Sequence, residues 1–229
     1  MRRRSAGSAI AAPVPFDPAA ARAARALLGL SPAMVARAMG SHGVYPAPPQ
    51  VIAWESGELL PSEIELVALA RALWCPPGQL MGGRASSVRD HRLALDLPQE
   101  EVARQLGLTP RVYAQLELAE RWTADEDTTY VLAHALGLTP RALVTATRRA
   151  EDLQALLQRA VDGRWQPQAK AVARLVPTLD RDRIDHALRV IHDEGHTSGA
   201  LWGGDNQAEE TPPPGPEELM EQFWLLIGP

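Results

Sequence analysis

An internal duplication is the feature that most restricts the fold of this 229-residue chain. VARAMG at 35–40 matches VARQLG at 102–107, an offset of 67 residues, and LARAL at 69–73 matches LAHAL at 132–136, an offset of 63. Each copy is therefore roughly 65 residues long, close to the lower limit for a domain with its own hydrophobic core. The sequence predicts two similar small units in series, followed by a segment outside the repeat.

The offset between the two copies changes along the repeat, which locates an insertion. Glu55 in the first copy corresponds to Glu117 in the second at an offset of 62. The first copy therefore has five extra residues between Gly40 and Trp54 and one fewer after Trp54. These extra residues fall in the segment SHGVYPAP, which is predicted to be a lengthened turn between two helices.

Helix signals recur through both copies. Ala and Leu dominate the composition, and only 5% of residues are aromatic, which favours helices over sheets. In the second copy Gly107 is a helix stop, and Thr109 followed by Pro110 is a helix start. We predict five short helices in each copy and amphipathic helices at 151–164 and 181–194. The fold class is therefore predicted to be all-α.

The predicted organisation has six segments, two of them repeats. Between the second repeat and the linker lies a helical extension, and the linker is polar and rich in Pro and Gly. The bounds are 1–17 for a flexible arm, 18–83 for the first domain, 84–148 for the second, 149–197 for the extension, 198–216 for the linker and 217–229 for a terminal amphipathic helix.

Cysteine content and motifs narrow the functional classes. Cys75 is the only cysteine, which excludes an internal disulfide and favours a reducing cytoplasm. No apolar run is long enough to cross a bilayer. No phosphate loop, nucleophile elbow or carboxylate pair occurs, so neither an enzyme nor a cofactor is expected. HDEGH at 192–196 is interpreted as a solvated helix end rather than a metal site, because the metalloprotease motif requires Glu directly after its first His.

Charge is distributed unevenly along the chain. Residues 1–83 contain seven Arg against five acidic residues, and residues 84–165 contain eleven Arg against twelve. Residues 166–229 contain five basic against eleven acidic residues. A strongly basic footprint for nucleic acid is therefore absent. Lys170 is the only lysine, a bias towards Arg that is typical of a high-GC bacterial genome.

Two stretches carry a resemblance to a known family. WESGELLP at 54–61 precedes LVALARAL at 66–73, and LTPRVYAQLE at 108–117 follows a glycine turn. This pattern resembles the helix-turn-helix of Xre-type transcriptional regulators, the phage-repressor and Cro class. The resemblance covers 20–83 and 86–148, and it implies two tandem lambda-repressor-like domains that bind double-stranded DNA. In this class the second helix of the motif lies in the major groove.

The resemblance implies DNA contacts by several residues of the second copy. Gln99 begins the helix that crosses the backbone, and Arg111 and Gln115 lie one turn apart on the recognition helix. Arg and Gln suit base reading because each can form two hydrogen bonds to one base, guanine and adenine respectively. Arg104 and Arg121 are further candidate DNA contacts.

The first copy departs from this pattern. Pro32, Pro49 and Ala53 stand at the three positions that the second copy fills with polar readers. Gln50 is the one residue left that can make a specific polar base contact, and Ala47 occupies the capping position. The first copy either contacts DNA through backbone amides and shape or is a packing or pairing module, and we favour the second interpretation.

Both ends of the chain carry candidate interaction segments. Arg2, Arg3 and Arg4 either enter a minor groove or form a solvated tail. The apolar face of the terminal helix either folds back onto the chain or a sister subunit, which we favour, or is a handle for a protein partner. A further hypothesis is that acidic residues of the tail compete with DNA for Arg111. These residues are Glu209, Glu210, Glu217, Glu218 and Glu221.

Two functions are therefore considered. The first is a sequence-specific transcriptional regulator, expected to be a homodimer because paired half-sites multiply affinity. The alternative is a protein-interaction module on a degenerate helix-turn-helix scaffold, with a polymerase, antirepressor or toxin as partner. DNA binding predicts one exposed cluster of arginines, whereas the alternative predicts separate pairing with local acids. The arginines concerned are Arg92, Arg104, Arg111 and Arg121.

Overall fold

The computed structural model describes residues 13–119, 121–197 and 215–228. Within these ranges all regular structure is α-helical, with no strand, as predicted. Five helices fall in each repeat, which confirms the number predicted for each copy. No helix in the described part of the chain is long and apolar enough to cross a membrane.

The chain divides into two compact units. The first lies within Met1–Ala85 and Asp90–Leu97, and the second within Ser86–Arg89 and Pro98–Pro229. The division falls inside a helix of the second repeat, since Ser86–Arg89 belong to one unit and Asp90–Leu97 to the other.

The helices of the first repeat begin where the sequence supplies caps and prolines. Asp17 accepts hydrogen bonds from the first turn of the first helix, and Ser31 does the same for the second. Ser62 and Glu65 form a reciprocal capping box on the fourth helix. The five helices are α1 (Pro18–Leu27), α2 (Pro32–Gly40), α3 (Pro48–Ser56), α4 (Glu63–Ala72) and α5 (Pro77–Leu80).

The core of the first unit includes two residues that were predicted to lie in the flexible arm. Val14 and Phe16 are buried in the same apolar cluster as Trp54. The backbone amide of Asp17 donates to the carbonyl of Leu80 at 2.7 Å, which ties this segment to α5. The prediction of an arm over 1–17 is therefore wrong at its end, because two apolar side chains separated by one proline are drawn into the core.

A partly buried ion pair joins α1 to α3. Two guanidinium nitrogens of Arg25, Nε and Nη2, donate to the carboxylate of Glu55, at 2.6 and 2.7 Å. The exposed fractions of the two side chains are 19% for Arg25 and 8% for Glu55. The hydrogen bond to Glu55 raises the pKa of Arg25. The remaining Arg25 nitrogen donates to the carbonyl of Leu30 at 2.8 Å, so the end of α1 is fixed as well.

Removing the cation of this pair is expected to be costly. Arg25→Ala leaves the Glu55 carboxylate buried without its counter-ion, and we expect the free energy of unfolding to fall by about 3–5 kcal/mol. Arg71→Ala is the matched control, because Arg71 is half exposed in its two-hydrogen-bond pair with Asp96. The control should lose less than about 1 kcal/mol in urea unfolding. Equal losses in the two variants would show that Glu55 is not desolvated.

The second repeat begins with a helix that belongs to both units. α6 (Val88–Ala94) has Leu93 in the core of the first unit, and Arg92 donates to Glu63 at 3.0 Å. Arg92 also donates to the carbonyl of Leu97 at 2.9 Å. This bond repeats the bond from Arg25 to Leu30 at the 67-residue offset, so the duplication extends to side-chain hydrogen bonding.

The remaining helices of the second repeat use the same signals at their starts. The second of them begins at Thr109 and Pro110, as predicted, and the third is capped by Asp125. These helices are α7 (Gln99–Gln105), α8 (Pro110–Leu118), α9 (Glu126–Ala135) and α10 (Pro140–Ala146).

Four helices after the repeats pack against one another as a bundle. α13 extends through Gly195, beyond the predicted end at 194, and the last helix lies against the first and third members of the bundle. The bundle is formed by α11 (Ala150–Asp162), α12 (Trp165–Leu175), α13 (Arg181–Thr197) and α14 (Pro216–Ile227).

The apolar face of α14 is covered by the chain itself. Leu219, Phe223, Trp224 and Ile227 are buried. Arg183 of α13 donates to the carbonyl of Ile227 at 3.1 Å, which holds the end of α14. The terminal helix therefore folds back, as favoured from the sequence, and its apolar face is not an exposed handle.

Arg149 joins the bundle to the second repeat. Its guanidinium donates to the carbonyl of Trp122 at 3.0 and 3.2 Å and to that of Ala124 at 3.2 Å. A third nitrogen donates to the carbonyl of Leu175 at the end of α12. Burial lowers the pKa of Arg149, with repulsion from Arg121 as a second cause. One side chain thus fixes the loop before α9, the start of α11 and the end of α12 together.

The packing of α14 can be tested with two residues of that helix. Phe223 is fully buried, whereas 80% of the Leu225 side chain is exposed. We expect Phe223→Ala to lower the free energy of unfolding by about 3–5 kcal/mol. Leu225→Ala should change it by less than about 0.5 kcal/mol. Urea unfolding monitored by tryptophan fluorescence measures both, and similar midpoints would mean that α14 is not part of the bundle core.

Candidate nucleic-acid interface

The start of α8 is set by local sequence. Gly107 has a φ of +66°, a conformation that side chains with a Cβ atom disfavour, and it stops the chain from continuing α7. The Thr109 hydroxyl then accepts a hydrogen bond from the amide of Val112, and Pro110 occupies the first helical position. The result is a nine-residue helix that packs against α7 after a short turn.

Glu117 fixes the orientation of α8. The hydroxyl of Tyr113, a fully buried side chain, donates to one carboxylate oxygen of Glu117 at 2.9 Å. The amide nitrogen of Gln99 donates to the other oxygen. Gln99, predicted to contact DNA, thus uses its amide nitrogen to hold the start of α7 to α8. Sequence reasoning missed the roles of Tyr113 and Glu117, although the match of Glu117 to Glu55 in the repeat was a signal for them.

Arg111 and Gln115 lie on the exposed side of α8, opposite Tyr113. Both side chains are exposed, and neither makes a hydrogen bond or ion pair with the described residues. They lie one helical turn apart, so their polar ends can reach a common surface. The helix therefore presents a guanidinium and a carboxamide outward while its inner face is held by Tyr113 and Glu117.

The other arginines of the predicted set are paired separately. Arg104 donates to Glu101 of the same helix from two nitrogens, and these bonds are the main reason that the pKa of Glu101 is lowered. Arg121 pairs with Asp152. The Arg92 side chain is only 3% exposed and pairs with Glu63. Among these arginines Arg111 alone lacks an acidic partner in the described part of the chain, whereas the other three are paired with acids.

The corresponding helix of the first repeat presents a different surface. Its start has no side-chain cap, because Ala47 occupies the capping position, and Pro48, Pro49 and Ile52 are exposed. The amide nitrogen of Gln50 donates to Glu65 of α4 at 2.9 Å. Gln50, also predicted to contact DNA, therefore links α3 to α4, and no polar base-reading side chain extends from α3.

Several predicted residues have other partners or lie outside the described ranges. Glu221 forms an ion pair with Arg141 of α10 and not with Arg111. The predicted residues that the structure does not describe are Arg2, Arg3, Arg4, Glu209, Glu210 and the side chain of His196.

The HDEGH segment gives no metal-binding geometry in the residues that are described. The His192 ring lies 3.1 Å from the carboxylate of Asp193, its neighbour in the chain. Within the described residues no group of three or more His, Cys, Asp or Glu side chains is placed to hold a metal ion.

No family model, curated protein or solved structure matches the chain. The Xre resemblance therefore depends on the sequence motifs, and the geometry of α7 and α8 is the physical evidence that bears on function.

The anchoring role of Glu117 is testable. Tyr113→Phe removes a buried donor and leaves one Glu117 oxygen without that bond, so we expect a loss of about 1–3 kcal/mol in the free energy of unfolding. Tyr130→Phe is the matched control, since 45% of Tyr130 is exposed. The control should change stability by less than about 0.5 kcal/mol. A Tyr113→Phe protein as stable as the control would show that the hydroxyl does not anchor α8.

Proposed function

We propose that this chain is an Xre-type, DNA-binding transcriptional regulator whose second helix-turn-helix domain reads the major groove with α8. One observation carries the proposal. Arg111 and Gln115 extend from a capped helix, exposed and without partners among the described residues, while the opposite face of the helix is anchored by Glu117. Polar side chains held in this way are available to hydrogen-bond with base edges.

The two side chains have complementary reading chemistry. Arg111 can donate two hydrogen bonds to O6 and N7 of guanine, and Gln115 can donate to N7 and accept from N6 of adenine. Gln99 acts as a positioning residue, since it holds α7 to α8 through Glu117. We therefore propose that the DNA site read by the second domain contains both guanine and adenine. Gln50 is assigned no base contact.

We propose that Arg104 and Arg121 contact DNA phosphates by exchanging their carboxylate partners for phosphate oxygens. More than half of each side chain is exposed, 72% for Arg104 and 56% for Arg121, so neither is enclosed by its acidic partner. Exposed ion pairs contribute little to stability, because water screens the two charges. A phosphate oxygen can therefore replace Glu101 or Asp152 as the acceptor at small cost.

The charge distribution implies weak binding by a single copy. Asp125, Glu126 and Asp127 follow α8 closely in the chain, and residues 166–229 are acidic overall. Non-specific affinity for DNA comes mainly from phosphate neutralisation, so it is expected to be low. We propose that the protein binds as a homodimer, because two half-sites multiply the contribution of each α8.

The experiment is selection of genomic DNA fragments on the purified protein, followed by titration of the best fragment at two salt concentrations. We expect Arg111→Ala with Gln115→Ala to weaken DNA binding by about 5- to 150-fold for each side-chain contact with a base that is lost. The matched control is Arg174→Ala with Gln166→Ala, which makes the same changes at exposed positions of α12. The control should bind like the unchanged protein.

Two results would overturn the proposal. One is an absence of sequence enrichment, and the other is enrichment that the α8 double variant retains. Equal weakening in the variant and the control would assign the effect to net charge rather than base reading.

The second candidate function is a protein-interaction module. It is favoured by the separate pairing of Arg92, Arg104 and Arg121 with acids, which was the arrangement predicted for that alternative. The exposed and unpaired state of Arg111 and Gln115 favours the regulator, and the titration with the α8 double variant discriminates between the two.

A further inference from the structure

The first repeat exposes a group of large aliphatic side chains close to one another in the chain. The exposed fractions are 53% for Ile52, 51% for Leu59, 52% for Leu60 and 71% for Ile64. Single exposed aliphatic residues are common on protein surfaces, but four of them lie here within 13 residues of the chain, and an apolar patch of that kind suits a binding surface. We call these four residues, together with Glu58 and Glu65, the α3–α4 face.

Hydrogen bonds hold the parts of the α3–α4 face together. The amide of Leu59 donates to the carbonyl of Ala53 at 3.1 Å, which folds the loop back onto α3. Gln50 donates to Glu65 at 2.9 Å and so links the starts of α3 and α4. The capping box of Ser62 and Glu65 fixes the first turn of α4. These bonds fix the backbone of the loop and of the first turn of α4 in the free protein, which lowers the ordering cost of binding a partner.

The charge of this region has one sign. Between Val44 and Ala70 the chain contains four glutamates and no Arg, Lys or His. Two of these glutamates are neutralised, Glu55 by Arg25 and Glu63 by Arg92. Glu58 and Glu65 remain as the net charge of the α3–α4 face, and neither has a basic partner in the described residues. An apolar surface with a negative rim repels DNA phosphates.

The second repeat differs at the matched positions. Where α8 has Arg111 and Gln115, α3 has Pro49 and Ala53, and where α9 has Asp127, α4 has Ile64. Polar groups that suit base edges are thus replaced by apolar ones on the same scaffold. This substitution pattern separates the binding chemistry of the two repeats.

We propose that the α3–α4 face docks a positively charged amphipathic helix of another protein. The aliphatic side chains of that helix would pack between Ile52 and Ile64, and its Lys or Arg residues would pair with the exposed Glu58, next to the negative charge of Glu65. Charge complementarity selects this occupant, since a second copy of the chain would bring glutamates of the same face together. The proposal is independent of DNA binding by α8.

The probe is a fluorescent synthetic helical peptide whose two faces are Leu and Lys, and its matched control is the same peptide with Glu in place of Lys. Both are titrated into the full chain by fluorescence anisotropy. We expect the Lys peptide to bind and the Glu peptide to bind at least about tenfold more weakly.

Protein variants locate the site. Ile52→Ser with Ile64→Ser changes two exposed positions of the α3–α4 face, and it is expected to weaken binding of the Lys peptide by about tenfold or more. Leu27→Ser with Leu225→Ser is the control, since 88% and 80% of these side chains are exposed elsewhere. The control should bind the peptide as the unchanged chain does. Circular dichroism melting checks that both variants remain folded.

Glu58→Lys provides a second test that does not depend on apolar packing. We expect it to weaken binding of the Lys peptide and to reduce the dependence of that binding on salt. Equal binding of the Lys peptide by the α3–α4 variants and the control would overturn the proposal. So would self-association in sedimentation experiments that is lost in the Ile52 and Ile64 variant, because a second copy would then cover the face.

Discussion

A glutamate at the same position of each repeat anchors a short helix, α3 in the first repeat and α8 in the second. The direction in which the exposed side chains of these two helices extend depends on that anchor. Glu55 accepts two hydrogen bonds from Arg25, and Glu117 accepts from Tyr113 and Gln99. A carboxylate held by two donors restricts both the rotation and the translation of its helix. The outward residues of α3 and α8 therefore have defined directions, although the donors that define them differ between the repeats.

This anchoring allows two surfaces to be built on one scaffold. The side chains that fix each helix face inward, whereas the residues that distinguish the repeats are exposed or half-buried, and substitutions at exposed positions change stability little. Arg111 and Gln115 in one repeat and Pro49 and Ala53 in the other can thus coexist with similar helix packing. The lengthened turn of the first repeat is accommodated in the same way, since it lies between helices and interrupts neither of them.

Local features of the structure were predictable from the sequence, and long-range side-chain partners were not. Periodicity, Thr109 and Gly107 act within a few residues, so the helices and the start of α8 were predicted correctly. The pairing of Arg92 with Glu63 joins residues far apart in the chain, and its geometry depends on how the helices pack. The occupied amides of Gln99 and Gln50 were missed for the same reason, because residue type indicates what a side chain can bond but not which acceptor it meets.

The pairing of arginines with local acids bears on specificity as well as on affinity. When an arginine leaves a carboxylate to meet a phosphate, one acceptor replaces another, so the gain from each non-specific contact is small. Arg111 has no acidic partner among the described residues, so the gain from its proposed base contact would not be reduced in this way. Lowering the non-specific contribution while leaving the base contacts intact raises the ratio of specific to non-specific binding, which is the quantity that decides occupancy in a genome. For the proposed regulator, the pairing of Arg92, Arg104 and Arg121 with acids therefore favours discrimination between sequences over tight binding to any sequence.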